Sequence, residues 1–347
     1  MADFFCLDLG ETQIRLSDIK PKGNFFEATG LSLIDMDPLF YRTESENIIE
    51  KTASSISKVL DQLKIKKKAV RVIIPDTFSY NRFIEMPKLK EKELLSAIRY
   101  QADQFIPMPI DNVNLDIEVV NENMKTNKTL VLLSASPKNT VEKVKKVLEY
   151  TGLFPESIEP ETSSIARLLS QIFNKQAAKS GQQSQNTGFI LINLNMSSTS
   201  IYYFDRTLKL MTHSSNFNSG YNIFLKEIQV NLNVDIKKAA DLLKSFGVAQ
   251  NTSYHLEAFL APSLKDILDK IDRSIKEIVN TNKSLVSNIY LTNEAFKFHS
   301  LDSIIGKFFA IPTGFFDPLP YFVKNKIVDF FKNDLTYFMA SMGGSLR

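Results

Sequence analysis

One turn pattern occurs twice in this chain, and any fold it adopts must accommodate both copies. Near the start, Phe4-Phe5-Cys6-Leu7-Asp8-Leu9-Gly10-Glu11-Thr12-Gln13-Ile14-Arg15-Leu16 reads as strand, tight turn and strand. At the midpoint, Phe189-Ile190-Leu191-Ile192-Asn193-Leu194-Asn195-Met196-Ser197-Ser198-Thr199-Ser200-Ile201-Tyr202 reads the same way. In each copy an apolar run ends at a small polar residue, and a turn rich in hydroxyl, Gly or Asn residues leads into a second strand. A third strand is expected next, near Phe25–Leu33 in the first copy and Leu208–His213 in the second. Asp8 and Asn193 occupy matching places, 185 positions apart. The repeat implies two halves of like architecture, with a candidate site at each turn, where backbone amides and hydroxyls gather.

At 347 residues the chain has room for two domains, each with its own core. A hydrophobic content of 44% and a charged content of 23% are those of a soluble globular protein. The net charge of +3 is too small to imply a nucleic-acid partner. The basic run Lys64, Lys66, Lys67, Lys68 is expected to be a solvated face ahead of the strand Ala69–Ile74. Cys6 is the only cysteine, so no disulfide framework is possible, which suits a reducing compartment. Its place in the first strand suggests a small core residue. Asp3 and Asp8 with no basic segment before an apolar stretch exclude a secretory signal at the start. No apolar run approaches the ~18 residues of a membrane span. The expected location is the cytosol. His213, His255 and His299 are scattered without metal-ligand spacing, and no metal site is expected. No serine stands in a nucleophile-elbow pattern.

Periodicity divides the chain further. A helix is expected near Glu44–Leu63, where Ile48, Ile49, Ala53, Ile56, Leu60 and Leu63 recur at helical spacing. Thr43 and Glu46 have capping-box spacing before it. Residues 76–158 read as a helix near Glu91–Phe105 stopped by Pro107 and Pro109, strands near Leu115–Val120 and Thr129–Ala135, and a helix ended by Gly152. This is expected to be an inserted α/β subdomain. After a helix near Thr162–Phe173, the polar stretch 174–187 reads as a flexible linker. In the second half, Asp235 is placed to cap a helix ending at Gly247. Leu264, Leu268, Ile271, Ile275 and Ile278 mark a longer helix whose stripe fits a core face or a short coiled-coil seam. Gly343-Gly344 reads as a helix-ending turn, and the Phe and Tyr residues of 308–338 as core of a returning helix. A membrane-surface helix at Val323–Phe331 is the alternative for part of that region.

The segment Ile84-Glu85-Met86-Pro87, Glu91-Lys92-Glu93-Leu94, Ala97-Ile98-Arg99-Tyr100-Gln101-Ala102, Phe105-Ile106-Pro107-Met108-Pro109-Ile110 and Val113-Asn114-Leu115-Asp116 resembles the signature of the PilM family. The resemblance extends to Leu148-Glu149-Tyr150-Thr151-Gly152-Leu153 with Pro155, to both hairpins, to Ile289-Tyr290-Leu291 and to the segment from Ser341. These are actin-like cytoplasmic proteins of the type IV pilus machine. The resemblance implies an α/β, actin-like two-domain fold of the FtsA and PilM type, with internal duplication and an inserted subdomain. The expected division is 1–75, 159–173 and 325–347 as the first subdomain, 76–158 as the insert, 174–187 as the linker and 188–324 as the second domain. It implies an adaptor at the inner face of the cytoplasmic membrane that captures the N-terminal tail of PilN, a single-pass membrane protein, in a groove beside the insert. On this view copies form a ring coupled to the pilus extension motor. Tyr80, Arg82 and Arg99 are the candidate partner-binding residues, each equally readable as surface or strand packing. An FtsA-like ATPase or filament protein and a GspL-like secretion platform are the alternatives.

In actin-like ATPases the two hairpins hold a nucleotide's phosphates, and here the resemblance weakens in one direction. In the first turn Asp8, Gly10 and Thr12 match the family pattern, Gly10 leaving room for a phosphate. Glu11 and Gln13 replace small residues. A carboxylate about 4 Å from a phosphate oxygen is repelled by roughly 4 kcal/mol per charge pair at an effective dielectric of 20. Glu11 could equally turn outward or share a Mg²⁺. In the second turn Ser197, Ser198 and Thr199 match, but Asn193 stands for an Asp and Asn195 for a Gly. Asn193 lacks the charge to hold Mg²⁺. Asn195 tolerates a left-handed turn, yet its side chain takes space. The third element, Thr292-Asn293-Glu294-Ala295-Phe296, has no glycine where the family is Gly-rich. A vestigial nucleotide site is expected, with no catalytic residue, no hydrolysis and no cofactor; ATP and Mg²⁺ bound without turnover are the alternative.

Overall fold

A segment with no polar alternation finds burial on both faces only in the middle of a covered sheet. The two apolar runs that open the halves do this: β1 (Phe4–Leu9) is buried throughout, and so is β9 (Thr187–Leu194) except at its first residue. The computed structural model describes residues 3–100, 106–124, 126–176, 187–249, 254–282 and 285–346. They form two compact units, Met1–Lys179 with Pro318–Arg347, and Ser180–Asp317.

In the first unit β1 pairs antiparallel with β2 (Gln13–Lys22), which pairs with β3 (Phe25–Asp35). On the other side β1 pairs parallel with β4 (Ala69–Ile74), and β4 with β8 (Phe154–Pro160). The second unit repeats this arrangement. There β9 pairs antiparallel with β10 (Thr199–Asp205) and β10 with β11 (Leu210–Phe217). Strands β12 (Leu285–Asn293) and β13 (Thr313–Phe315) add in parallel on the other side. Two five-stranded sheets of the same order, three-two-one-four-five, are the duplication that the hairpins announced.

Odd-numbered residues of β1 face one layer and even-numbered residues the other. Phe5, Leu7 and Leu9 pack with Ile49, Ala53, Ile56 and Leu60 of α1 (Glu46–Gln62) and with Val144, Val147 and Leu148 of α3 (Lys138–Thr151). Burying one such side chain fully contributes about 1.5–3 kcal/mol. The expected capping box before α1 does not form. Ser45 is the N-cap, without a side-chain bond, while Thr43 Oγ1 donates to the Leu39 carbonyl. The hydroxyl is used in a local turn, which competes with capping. Gly152 ends α3 at φ 63°, as its position predicts. Lys64, Lys66 and Lys68 are exposed, whereas Lys67 turns inward to Asp18 at 2.7 Å.

The segment between β4 and α3 forms a three-stranded antiparallel sheet, β5 (Tyr80–Pro87), β7 (Lys128–Pro137) and β6 (Val113–Asn123), with β7 central. Leu94 and Ile98 of α2 (Glu91–Tyr100) pack on it. Two expectations are corrected here. Strand β5 is not apparent from alternation, because Arg82 interrupts the apolar face of Tyr80, Ile84 and Met86. Helix α3, read as the end of the insert, belongs to the core of the first unit, and strand β8, which is not expected from the sequence, to its sheet. Residues 101–105 of the expected helix lie outside the described residues. So do 177–186 of the expected linker, whose flanks belong to α4 (Glu161–Gln176) and β9.

In the second unit, α5 (Tyr221–Leu232), α6 (Ile236–Phe246), α7 (Leu256–Asn282) and α8 (Leu301–Phe309) cover the sheet. Asp235 caps α6 by accepting from Lys238 N at 2.7 Å, and Gly247 ends it. The stripe of α7 from Leu264 to Ile278 lies in the core with Ile192, Leu194 and Ile201. Of the late aromatic residues, Phe316, Phe322 and Phe338 are buried, but Phe308 and Phe330 are exposed. The short helix α9 (Lys326–Phe331) is tied to β3, with Val328 buried and Asn325 Nδ2 donating to the Ala28 carbonyl. Among the described residues no helix is long and apolar enough to cross a membrane.

Gly343 and Gly344 are not a turn. They lie inside α10 (Met339–Ser345), a wholly buried helix against α4 and the even face of β1. A Cβ on Gly343 would overlap the Ser164 carbonyl, and one on Gly344 would overlap Cys6 Sγ. Arg71 and Arg167 donate to the carbonyls of Gly344, Leu346 and Gly343, groups that the end of a helix leaves without partners. Gly343→Ala is expected to cost about 1–3 kcal/mol through overpacking, measured as a lower urea midpoint. Gly314→Ala, where a Cβ meets nothing within 4 Å, should change stability by less than ~0.5 kcal/mol.

Candidate functional site

Hairpin register decides what meets at the first turn. Asp8 on β1 lies directly across from Arg15 on β2, a spacing at which opposite charges touch. Arg15 Nη1 donates to Asp8 Oδ2 at 3.0 Å, with both side chains buried. Burial raises the Asp8 carboxyl above its ordinary range, with Arg15 pulling it back. The other oxygen, Oδ1, has no hydrogen-bond partner among the described residues. Gly10 does leave room, and the chain itself fills it. A Cβ there would stand 2.7 Å from Arg15 Nη1 and 2.7 Å from the Gln13 carbonyl. Thr12 is half-buried, and its carbonyl accepts from Met36 N at 2.9 Å. Glu11 turns toward Thr77, whose hydroxyl donates to it at 3.3 Å.

Behind this turn lie two further buried carboxylates, Asp76 and Glu161. Asp76 accepts from Thr162 N at 3.1 Å, Thr162 Oγ1 at 2.8 Å and Asn81 Nδ2 at 3.0 Å. A carboxylate at the start of α4 is favoured by the free amides and dipole there. Asp76 N in turn donates to Glu161 Oε2 at 3.2 Å. Burial drives the Glu161 carboxyl well above the ordinary glutamate range, and the charges of Asp76 and Asp8 add to the effect. Tyr41 closes the group: its hydroxyl donates to the Leu9 carbonyl at 2.6 Å and its ring stacks on Phe78 at 4.2 Å. The turn is thus in contact with residues 76–78, which lead into β5.

The second turn spans residues 195–198, with Asn195 N donating to the Ser198 carbonyl at 2.9 Å. Tyr221 N and Asn222 N, at the start of α5, donate to the Asn195 and Met196 carbonyls at 3.0 and 2.9 Å. Gly220 is required there, since a Cβ would come within 2.7 Å of Asn195 O and Met196 O. Thr199 Oγ1 donates to the Ser219 carbonyl at 2.7 Å. Asn193 is buried opposite Ser200, and Ser198 is buried while Ser197 is half-buried. Asn195 does not take the left-handed conformation it tolerates. A positive φ, 61°, falls instead to Asn293, whose side-chain amide donates to Asn195 Oδ1. The second turn and the third loop are thereby joined by their own side chains. Glu294, next in that loop, is buried and faces Lys297 at 2.7 Å.

Gly10, Thr12, Ser197 and Ser198 lie in the two turns, while Asp8, Asn193 and Thr199 stand on the strands that flank them. The residues that complete the sites were missed: Arg15, Asp76, Glu161 and the role of Asn293. Only Arg15 left a trace, as the cross-strand partner that a four-residue turn imposes on Asp8. Of the partner-binding candidates, Tyr80 packs against the core of the insert, while Arg82 on β5 and Arg99 on α2 are exposed. Among the described residues no group of three His, Cys, Asp or Glu side chains is placed to hold a metal ion.

A family model described as type IV pilus assembly protein PilM matches residues 6–347. Among solved structures the chain is similar to a PilM-PilN type IV pilus biogenesis complex, at 16% identity and a TM-score of 0.83, covering 99% of this chain and 98% of that one. It is also similar to the ethanolamine utilization protein EutJ from Carboxydothermus hydrogenoformans, at 9% identity and a TM-score of 0.51, covering 98% and 88%. A Bacteroides thetaiotaomicron protein with an actin-like ATPase fold aligns at 12% identity and a TM-score of 0.48, covering 94% and 93%. The fold is actin-like.

The raised Glu161 carboxyl makes stability depend on pH. The folded chain keeps a proton that the unfolded chain releases in the ordinary glutamate range. Stability therefore falls as pH rises from that range toward the folded value. Glu161→Gln, which is uncharged at every pH, should flatten this slope and raise the urea midpoint more at pH 8 than at pH 5. An unchanged slope would remove Glu161 as its source.

Proposed function

The chain belongs to the PilM family of type IV pilus assembly proteins, and from that premise we propose that it is an adaptor which captures the cytoplasmic tail of a PilN-like membrane protein. The observation that carries this is the match over residues 6–347, which includes the three-stranded insert as well as both actin-like halves. The protein works in the cytoplasm and is held at the inner face of the membrane by the tail it binds. Copies form a ring, and the ring links the membrane complex to the extension motor.

The mechanism is recognition of an extended segment. Strands β5 and β6 are the two edges of the insert's sheet, each pairing only with β7 among the described residues. An edge strand offers unpaired amides and carbonyls to which an extended peptide can add, with side-chain pockets supplying specificity. Arg82, exposed on β5, and Arg99, exposed on α2, are the side chains assigned to meet the tail. Tyr80 supports β5 from within the core. The opposite edge, β6, carries exposed Asp116 and Glu118, so its charge has the other sign.

A synthetic PilN-like tail should bind the full chain in calorimetry with no nucleotide present. Arg82→Glu with Arg99→Glu should weaken it about tenfold, or ~1.4 kcal/mol, while Asp116→Lys with Glu118→Lys should leave affinity unchanged. The reverse pattern would move the tail to β6. A strict ATP requirement would defeat the proposal of a nucleotide-independent adaptor.

A further inference from the structure

An actin-like fold implies a nucleoside triphosphate with its divalent cation, held by the two hairpins and a third loop. The side chains present do not fit that group. In the first hairpin the buried carboxylate, Asp8, is already neutralised by Arg15, and the other, Glu11, is turned toward Thr77. A divalent cation beside Asp8 would stand against the guanidinium, a like charge in a buried setting. Gly10, whose missing side chain should let a phosphate approach, has Arg15 Nη1 and the Gln13 carbonyl in that space.

In the second hairpin the carbonyls of Asn195 and Met196 are bonded to the first amides of α5. Those amides, which at an open helix start would face an anion, are consumed by the turn. Asn195 puts an amide where the family has a glycine, and that amide accepts from Asn293 of the third loop. The carboxylate of the third loop, Glu294, is buried and already paired with Lys297.

We infer that this chain has replaced its nucleotide with its own side chains. Arg15 supplies the positive charge at Asp8, and the Asn195–Asn293 amide pair supplies the link between second turn and third loop. Each hairpin then holds its shape without a ligand. The inference rests on the adaptor reading given above and deepens it, since a hairpin that is complete by itself has no ligand-dependent state to report.

The test uses the full chain with Mg·ATP and, separately, Mg·ADP. Equilibrium dialysis should find no saturable uptake, and the melting temperature should not move; a ligand at about a hundred times its Kd would raise it by several degrees. Asp8→Asn and Arg15→Met should each lower the melting temperature. The double variant should lose clearly less than the two losses added, because each single change strands its buried partner. Saturable Mg·ATP binding by the unmodified chain would overturn the inference, and so would additive losses. The first of these measurements needs no variant to fold. Tail binding on the same preparation separates the two proposals: tail and nucleotide both bound sinks this inference alone, whereas neither bound sinks the adaptor reading alone.

Discussion

Burial of one strand on both of its faces is the constraint from which most of this structure follows. β1 and β9 have no solvent side, so each needs a sheet around it and packed side chains against both of its faces. A polar residue at the end of such a strand must then find a partner within the protein, since an unpaired buried charge is costly. Asp8 finds Arg15 across the hairpin. The choice of partner is not free, because a four-residue turn sets which residue of β2 stands opposite.

The two halves solve the same geometric problem with different chemistry. The 185-residue offset that relates Asp8 to Asn193 also relates Gly10 to Asn195 and Arg15 to Ser200. Where the first hairpin carries an ion pair, the second carries a buried amide opposite a hydroxyl. Where the first has a glycine filled by a guanidinium, the second has an asparagine that reaches to Asn293. Loss of charge at Asn193 removes the need for a counter-ion in β10. The backbone survives both solutions unchanged in strand order, since the sheets are held by apolar packing rather than by the turns.

Features set by neighbours in sequence are legible in the sequence itself. The paired hairpins, the Asp235 cap, the Gly152 stop and the core stripe of α7 each depend on spacing within a few residues. What was not legible depends on contacts across the chain. Thr43 and Glu46 have the spacing of a cap, but Thr43 is drawn to the Leu39 carbonyl. Helix α3 reads as part of the insert until its Val144, Val147 and Leu148 are seen packed against α1. Glu161 looks like an ordinary acidic start to a helix, and only the burial of Asp8 and Asp76 beside it changes its chemistry. Gly343 and Gly344 carry the local signature of a turn, and nothing near them in sequence reveals Ser164 and Cys6.

That last contact has a temporal side. Chains emerge from the ribosome start first, and domains tend to fold as they appear. The even face of β1 is covered by α10, more than 300 residues later in the chain. Until about residue 345 has been made, Cys6 and its neighbours lack the layer that covers them in the finished fold. Closing so long a loop is slow relative to local pairing. The second half is thus synthesised, and free to mature, while the first still awaits its final layer.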